Sequence, residues 1–205
     1  MSHPAGDRAS MTTGRLEAFS DGVFAIAATL LILGVHDSGG ALGHSLLHIW
    51  PSYVAYAVTF VTIGVIWVNH HTVFGQVQAV DRQFLLINVL FLMLVAFIPF
   101  PTGLVAAHFH GSGLGAAALA YGATLTITAI LFNTLWFYAA KGNRLLKKDA
   151  DPRVVSGISR SYLPGPFIYL AATLVALASP LASVIMYAAI TLFYVVESSF
   201  FGRSG

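Results

Sequence analysis

Six long apolar segments, separated by shorter polar stretches, occupy most of the chain. They run about 15–36, 46–74, 82–107, 114–140, 158–178 and 181–201, and each is near or above the ~20 residues that a helix needs to cross a bilayer. No segment alternates apolar and polar positions as a barrel strand would. A helix satisfies its own backbone in lipid, so all six are predicted as helices. The second is long enough to tilt or to project beyond the bilayer. In the third, Phe97-Ile98-Pro99-Phe100-Pro101 predicts a bend, because each proline withdraws a backbone donor. Ser179-Pro180 predicts a tight turn into the sixth segment. Residues 1–14 are polar and read as a short tail, while 15–205 form one membrane domain. The first apolar run is a full span, longer than a signal h-region, so no cleavable signal is expected. The fold class is an all-α membrane protein with six transmembrane helices.

Composition agrees. Of 205 residues, 57% are hydrophobic and only 9% charged, with mean hydropathy +0.80; a soluble domain carries about 25% charged residues. There is no cysteine, which removes disulfides and thiolate metal sites. A pI near 9.0 does not indicate nucleic acid here, because the basic residues fall in loops and at helix ends. Arg8, Arg15, Arg82, Lys141, Arg144, Lys147, Lys148, Arg153, Arg160 and Arg203 all lie on one side of a six-span topology. Residues 37–45, 108–113 and the 179–180 turn, on the other side, have none. The positive-inside rule then places both termini in the cytoplasm. No internal repeat of the first segment is visible, which weakens an inverted-repeat transporter architecture.

The first segment, RLEAFSDGVFAIAATLLILGV, is the unusual one. Arg15, Glu17, Ser20 and Asp21 stand at its start, and an ionisable group at mid-bilayer costs roughly 2.5–3.5 kcal/mol unless it faces protein or water. Ser20 and Asp21 are either helix-start residues satisfying first-turn amides or buried groups in need of partners. Trp67, Asn69, His70 and His71, near the end of the second segment, lie at the same depth and supply candidates. A Ser/Asp–His/Trp cluster joining the two helices is expected. Further along, Phe19, Val23, Ile26, Leu30 and Leu33 are spaced 4, 3, 4 and 3 and form one stripe, flanked by Gly22, Ala25 and Ala28. Such a stripe is either ordinary packing or lipid contact, or a constriction that gates by dewetting. Periodicity does not choose between them.

Adjacent His70 and His71 point about 100° apart on a helix, so they do not face one metal ion, and neither has a histidine at HxxxH spacing. His36, His44, His48, His108 and His110 gather on the non-cytoplasmic side as solvated loop residues, with a metal or proton site as the sharper alternative. GxSxG, HExxH, P-loop and TVGYG motifs are absent, so neither an enzyme nor a carbonyl-filter channel is indicated.

Arg15-x-x-x-Phe19-Ser20-Asp21, followed by AIAATLLIL, resembles the RxxxFSD signature of the transmembrane protein 175 family, the lysosomal and prokaryotic potassium channels. Trp67-x-x-His70-x-x-x-Phe74, Leu86-x-Asn88 and FIPFPT are similar as well, so the resemblance covers about the first 105 residues. It implies a six-helix subunit of the prokaryotic kind, assembling as a homotetramer in the cell membrane, permeated by K+ and without a cofactor. It also implies a central pore lined by the first helix. Carried over by position, Ile26, Leu30 and Leu33 form the constriction, with Thr29 as a polar contact. Arg15, Phe19, Ser20, Asp21, Trp67, His70 and Asn88 form a packing network. Ala25 stands where some members carry a small hydroxyl residue, so modest selectivity is expected. A passive potassium-preferring channel is the leading function. A proton-coupled transporter using Asp21 and His70 is the alternative, and a membrane enzyme with the outer histidines as metal ligands is a distant third.

Overall fold

A computed structural model describes residues 13–35 and 46–201. Helix α1 (Thr13–Leu30) tightens into a 3-10 turn at Leu31–Gly34 and is followed by α2 (Trp50–Gln76), α3 (Arg82–Phe97) and α4 (Pro99–Ala107). Next come α5 (Leu114–Ala140), α6 (Pro152–Tyr162), α7 (Gly165–Val175) and α8 (Pro180–Phe201). Four stretches are long and apolar enough to cross a membrane: Thr13–Gly34, Trp50–Gln76, Arg82–Ala107 and Leu114–Asn143. Pro180–Val196 is a shorter apolar helix. The fold is all-helical and built for a bilayer.

The third segment breaks at Ile98, between α3 and α4, where Pro99 and Pro101 bring no backbone donor. The path stays helical because Thr102 N–H still reaches Ile98 O at 3.2 Å. The expected fifth helix, about 158–178, differs more. It is two helices, α6 and α7, and α6 starts within the stretch expected to be a loop. Pro164 and Pro166 explain the interruption, since neither has an N–H to give. Leu163 and Pro164 keep right-handed helical dihedrals, so the break is a kink in one path and not a reversal. Helix α6 turns Val155, Ile158 and Tyr162 toward the core and leaves Arg153 and Arg160 exposed.

Helix α1 packs on α2 and α3, whereas α5 is the hub, touching α3, α4, α7 and α8. Its Trp136, Leu135, Ala139 and Ala118 are fully enclosed. Where α7 and α8 cross it, Gly122 leaves room for the Tyr187 and Thr173 hydroxyls, which occupy the space a Cβ would need. Tyr187 Oη donates to Ala118 O at 3.1 Å and closes the contact. Small residues allow this approach, and hydroxyls then bond across it.

One end of the bundle is braced by backbone pairing between the α2–α3 and α5–α6 connections. Gln78 N–H donates to Leu145 O and Lys147 N–H to Gln76 O, both at 2.9 Å. Beside this bridge Asp81 caps α3, accepting from Phe84 N–H at 2.8 Å and from Tyr138 Oη at 2.7 Å, while Arg144 lies 5.1 Å from the Tyr138 ring centre. Burial pushes the Asp81 carboxyl up, but the Phe84 amide, the Tyr138 hydroxyl and the Arg144 charge outweigh it and hold the group below its ordinary range.

Two outcomes are expected. Gly122→Ala overpacks the α5–α7–α8 crossing and should cost about 1–3 kcal/mol, read as a lower melting midpoint of the detergent-purified protein. Because Asp81 has a depressed folded-state pKa, its stabilisation is complete above the unfolded value of about 3.9 and is lost as pH falls through the folded value. Asp81→Ala should therefore cost about 1 kcal/mol at neutral pH, with the gap to wild type closing in melts carried out in increasingly acid buffer.

Candidate functional site

Helix α1 has two unlike faces. Leu16, Ser20, Phe24, Ala27 and Leu31, spaced 4, 4, 3 and 4, are buried against the bundle. On this face Ser20 Oγ donates to Leu16 O at 2.8 Å and accepts from Asn88 Nδ2 at 3.1 Å. Asn88 Oδ1 lies 2.9 Å from His70 Nε2. With the Asn88 amide oriented to donate to Ser20, its oxygen is the acceptor, so the hydrogen of this bond sits on His70 Nε2. Ser20, Asn88 and His70 are 0%, 0% and 2% exposed, and one chain of hydrogen bonds thus ties α1, α3 and α2 together.

Aromatic rings wall the chain in. His70 stacks on Phe74 at 4.4 Å and on Phe91 at 5.6 Å between ring centres, with Phe24 tilted against it at 5.4 Å. Such walls exclude water, which strengthens the enclosed bonds and makes an unpaired member costly.

The next residue along α1 belongs elsewhere. Asp21 is exposed and accepts from Trp67 Nε1 at 2.8 Å. The joint cluster expected of Ser20, Asp21, Trp67 and His70 is therefore two separate pairings, with His70 hydrogen-bonded to Asn88 and not to Asp21. A helix rotates about 100° per residue, so Ser20 looks into the bundle while Asp21 looks out past α2. His70 and His71 separate in the same way: His71 is exposed, its ring 6.2 Å from that of Trp67. Arg15 and Phe19 lie outside both pairings, exposed on the outer face of α1. Arg15 makes no hydrogen bond or ion pair with a described residue.

The opposite face of α1 carries the apolar stripe. Ile26, Leu30 and Leu33 are 59%, 41% and 70% exposed, and no described residue covers them. Gly22 and Ala25 are exposed beside them, while Val23 and Ala28 are half-buried. Thr29 also faces outward, and its hydroxyl donates to Ile26 O at 2.9 Å, so it does not present an unmet donor. A bulky stripe with a small-residue flank is thus held out from the bundle by a polar anchor on the other side.

The histidines of the opposite end form a ring cluster. His48 and His110 stand 6.4 Å apart, Trp50 meets Phe109 edge-on at 5.1 Å, and His108 Nδ1 lies 3.0 Å from Leu104 O. His36 and His44 fall outside the described residues. Among the described residues no three His, Asp or Glu side chains converge as a metal site would require.

The anchor has a measurable weight. Asn88→Leu leaves the buried His70 Nε2–H without its acceptor and should cost about 1–3 kcal/mol, whereas Trp67→Phe removes a solvent-facing bond and should cost less. Melting midpoints of the two variants in one detergent check the order.

Residues 15–99 match the sequence profile of the family described as endosomal/lysosomal potassium channel TMEM175. A potassium channel of Chamaesiphon minutus is 42% identical over 193 residues, which cover 91% of this chain and 95% of that protein. A potassium channel of Streptomyces collinus is 44% identical over 154 residues, 73% of each. The crystal structure of a lysosomal potassium-selective channel TMEM175 homolog from Chamaesiphon minutus superposes with a TM-score of 0.83 at 39% identity, covering 91% of this chain and 97% of that one. The two-faced first helix and its anchoring residues all fall within the matched stretch, and the similarity runs nearly end to end: this chain belongs to the TMEM175 family.

Proposed function

We propose that the protein is the subunit of a passive, modestly potassium-selective cation channel whose pore is lined by α1. One observation carries the reading: the stripe of Ile26, Leu30 and Leu33 is left uncovered by the described residues, while the reverse face of the same helix is locked by the Ser20–Asn88–His70 chain. Lipid contact alone would not need a helix held so firmly, whereas a hydrophobic constriction depends on which side chains the helix turns to the pore. The relatives named as potassium channels supply the ion.

In this reading the subunit crosses the membrane six times, with α3–α4 as one kinked span and α6–α7 completing the fifth. Helix α7 alone, 11 residues and about 17 Å long, is short for a ~30 Å core. Both termini lie in the cytoplasm, on the side of the basic connections. Residues 1–14 are a cytoplasmic tail and 15–205 the channel domain. Four copies surround the pore in a prokaryotic plasma membrane, contacting lipid and no nucleic acid, with K+ as the permeant ion and no cofactor. Gly22 and Ala25 let neighbouring α1 helices approach.

Four Ile26 side chains around an axis form a dewetting barrier. Slight outward motion admits a partly dehydrated cation, and K+ gives up water more readily than Na+. Thr29 offers the next hydroxyl on this face. A proton-coupled carrier built on Asp21 and His70 has less support, because each is engaged with a different partner.

Reconstituted into liposomes, the wild type should take up K+ along its gradient faster than Na+. Ile26→Asn should raise the flux several-fold and bring the two rates together. An unchanged flux in that variant would remove Ile26 from the constriction, and saturable exchange coupled to protons would replace the channel by a carrier.

A further inference from the structure

A cleft of about 340 Å³ lies between α2 and α8, with α4 and α5 behind it. Helices α2 and α8 meet where Thr62 Oγ1 and Thr191 Oγ1 lie 2.7 Å apart. About one turn from that contact, Thr59 and Ala188 line the deep end of the cleft. From there it runs toward the α4–α5 connection, reaching Trp50 along α2 and Leu181 along α8. Trp50 and Phe109, edge to face at 5.1 Å, stand at its outer end. The cleft is not sealed, and Val54 of α2 and Ile185 of α8, which both line it, are exposed. It therefore opens to the side, where lipid lies.

Its wall is almost wholly apolar, although Thr59, Thr102, Tyr121 and Tyr187 line it. Their hydroxyls are engaged with one another or with the backbone. Thr59 Oγ1 lies 3.1 Å from Tyr121 Oη, Thr102 Oγ1 donates to Ile98 O at 2.9 Å, and Tyr187 Oη donates to Ala118 O at 3.1 Å. What the cleft presents is carbon. Water needs two to four polar partners, and apolar cavities stay dry. A vacant cleft would forfeit dispersion contacts along its whole wall. Hydrocarbon meets neither penalty, and its dimensions agree. A cavity of ~150 Å³ holds benzene, so this one takes a chain on the order of ten carbons long. From Trp50 to Thr59 the helix rises about 14 Å, and half of a ~30 Å hydrocarbon core is about 15 Å. The cleft is one leaflet deep.

We propose that this cleft is a binding site for one acyl chain of a phospholipid, taken from the leaflet at the α4–α5 end of the bundle. The end of the chain rests against Thr59 and Ala188, and Trp50 stands at headgroup level, where tryptophan collects in membranes. A free fatty acid would bring a carboxylate to an end whose connections, 37–45, 108–113 and 179–180, contain no Lys or Arg. A phospholipid leaves its headgroup at the bilayer surface and inserts only the chain. The site is separate from the α1 stripe and does not depend on what that stripe conducts.

The test reconstitutes the full chain into phosphatidylcholine vesicles doped with a phosphatidylcholine that carries a diazirine at the end of one acyl chain. After irradiation, peptide mapping should find adducts at Val58 and Ala188, on the deep part of the wall. Ala188→Phe narrows that end and should lower these adducts several-fold while leaving adducts elsewhere on the bundle unchanged; Ala55→Phe serves should the first variant not fold. Wild-type protein without adducts at the deep wall, or a folded variant labelled there as strongly as wild type, overturns the assignment. A density map in lipid nanodiscs gives a second readout. An unbranched rod of density from Trp50 to Thr59 is expected, whereas an empty cleft, or one filled by protein from this chain or a neighbouring copy, overturns the proposal.

Discussion

The hydrogen-bonded chain from Ser20 through Asn88 to His70 is the constraint on which the first half of the protein depends. It crosses three helices in a space walled by Phe24, Phe74 and Phe91, where an unmet polar group has no water to turn to. Each member has a committed partner, so rotating α1 would break bonds on two neighbouring helices at once. Non-directional packing permits small rotations of a helix on its neighbours; a closed chain of directed bonds does not. The azimuth of Ile26, Leu30 and Leu33 follows from it, because they lie on the same rigid helix facing the other way.

The second half of the protein solves a different problem. Helices in lipid gain little from hydrophobic contact, so α5, α7 and α8 are drawn together by close approach and hydroxyl bonds. Gly122 lets Tyr187 and Thr173 into the crossing, and Tyr187 then bonds the Ala118 carbonyl. At the end that carries the basic connections, the Gln76–Gln78 and Leu145–Lys147 pairing, with Asp81 as a shared acceptor, links the two halves outside the apolar core. Helix α1 is therefore offered to its surroundings from a frame secured within both halves of the protein.

Proline marks both interruptions, with different results. At Ile98 the helix resumes at once, and Thr102 recovers the contact to the carbonyl of Ile98. At Pro164 two prolines fall within three residues, and side chains from α5 must serve the freed carbonyl of Tyr162. Asn133 does so, and its own Oδ1 is left buried without a partner among the described residues. The motif residues at the start of α1 show no hint of this, since Asn133 reads in the sequence as one polar residue in an otherwise apolar helix.

The apolar segments and their helical character are written in the linear sequence, because bilayer thickness and backbone satisfaction act on each segment by itself. The polar residues at the head of the first segment, and the stripe from Phe19 to Leu33, are legible for the same reason. Pairing is not. Whether Asp21 meets His70 or Trp67 depends on the rotation of α1 against two other helices, and neighbouring residues on a helix face directions about 100° apart. Asn88 lies 68 positions from Ser20 along the chain and becomes its partner only when α3 folds back onto α1. Tertiary packing also decided that Arg15 and Phe19 face outward and that Gly122 sits under two hydroxyls. Local sequence encodes the period of a helix, while its azimuth is settled by the neighbours it must satisfy.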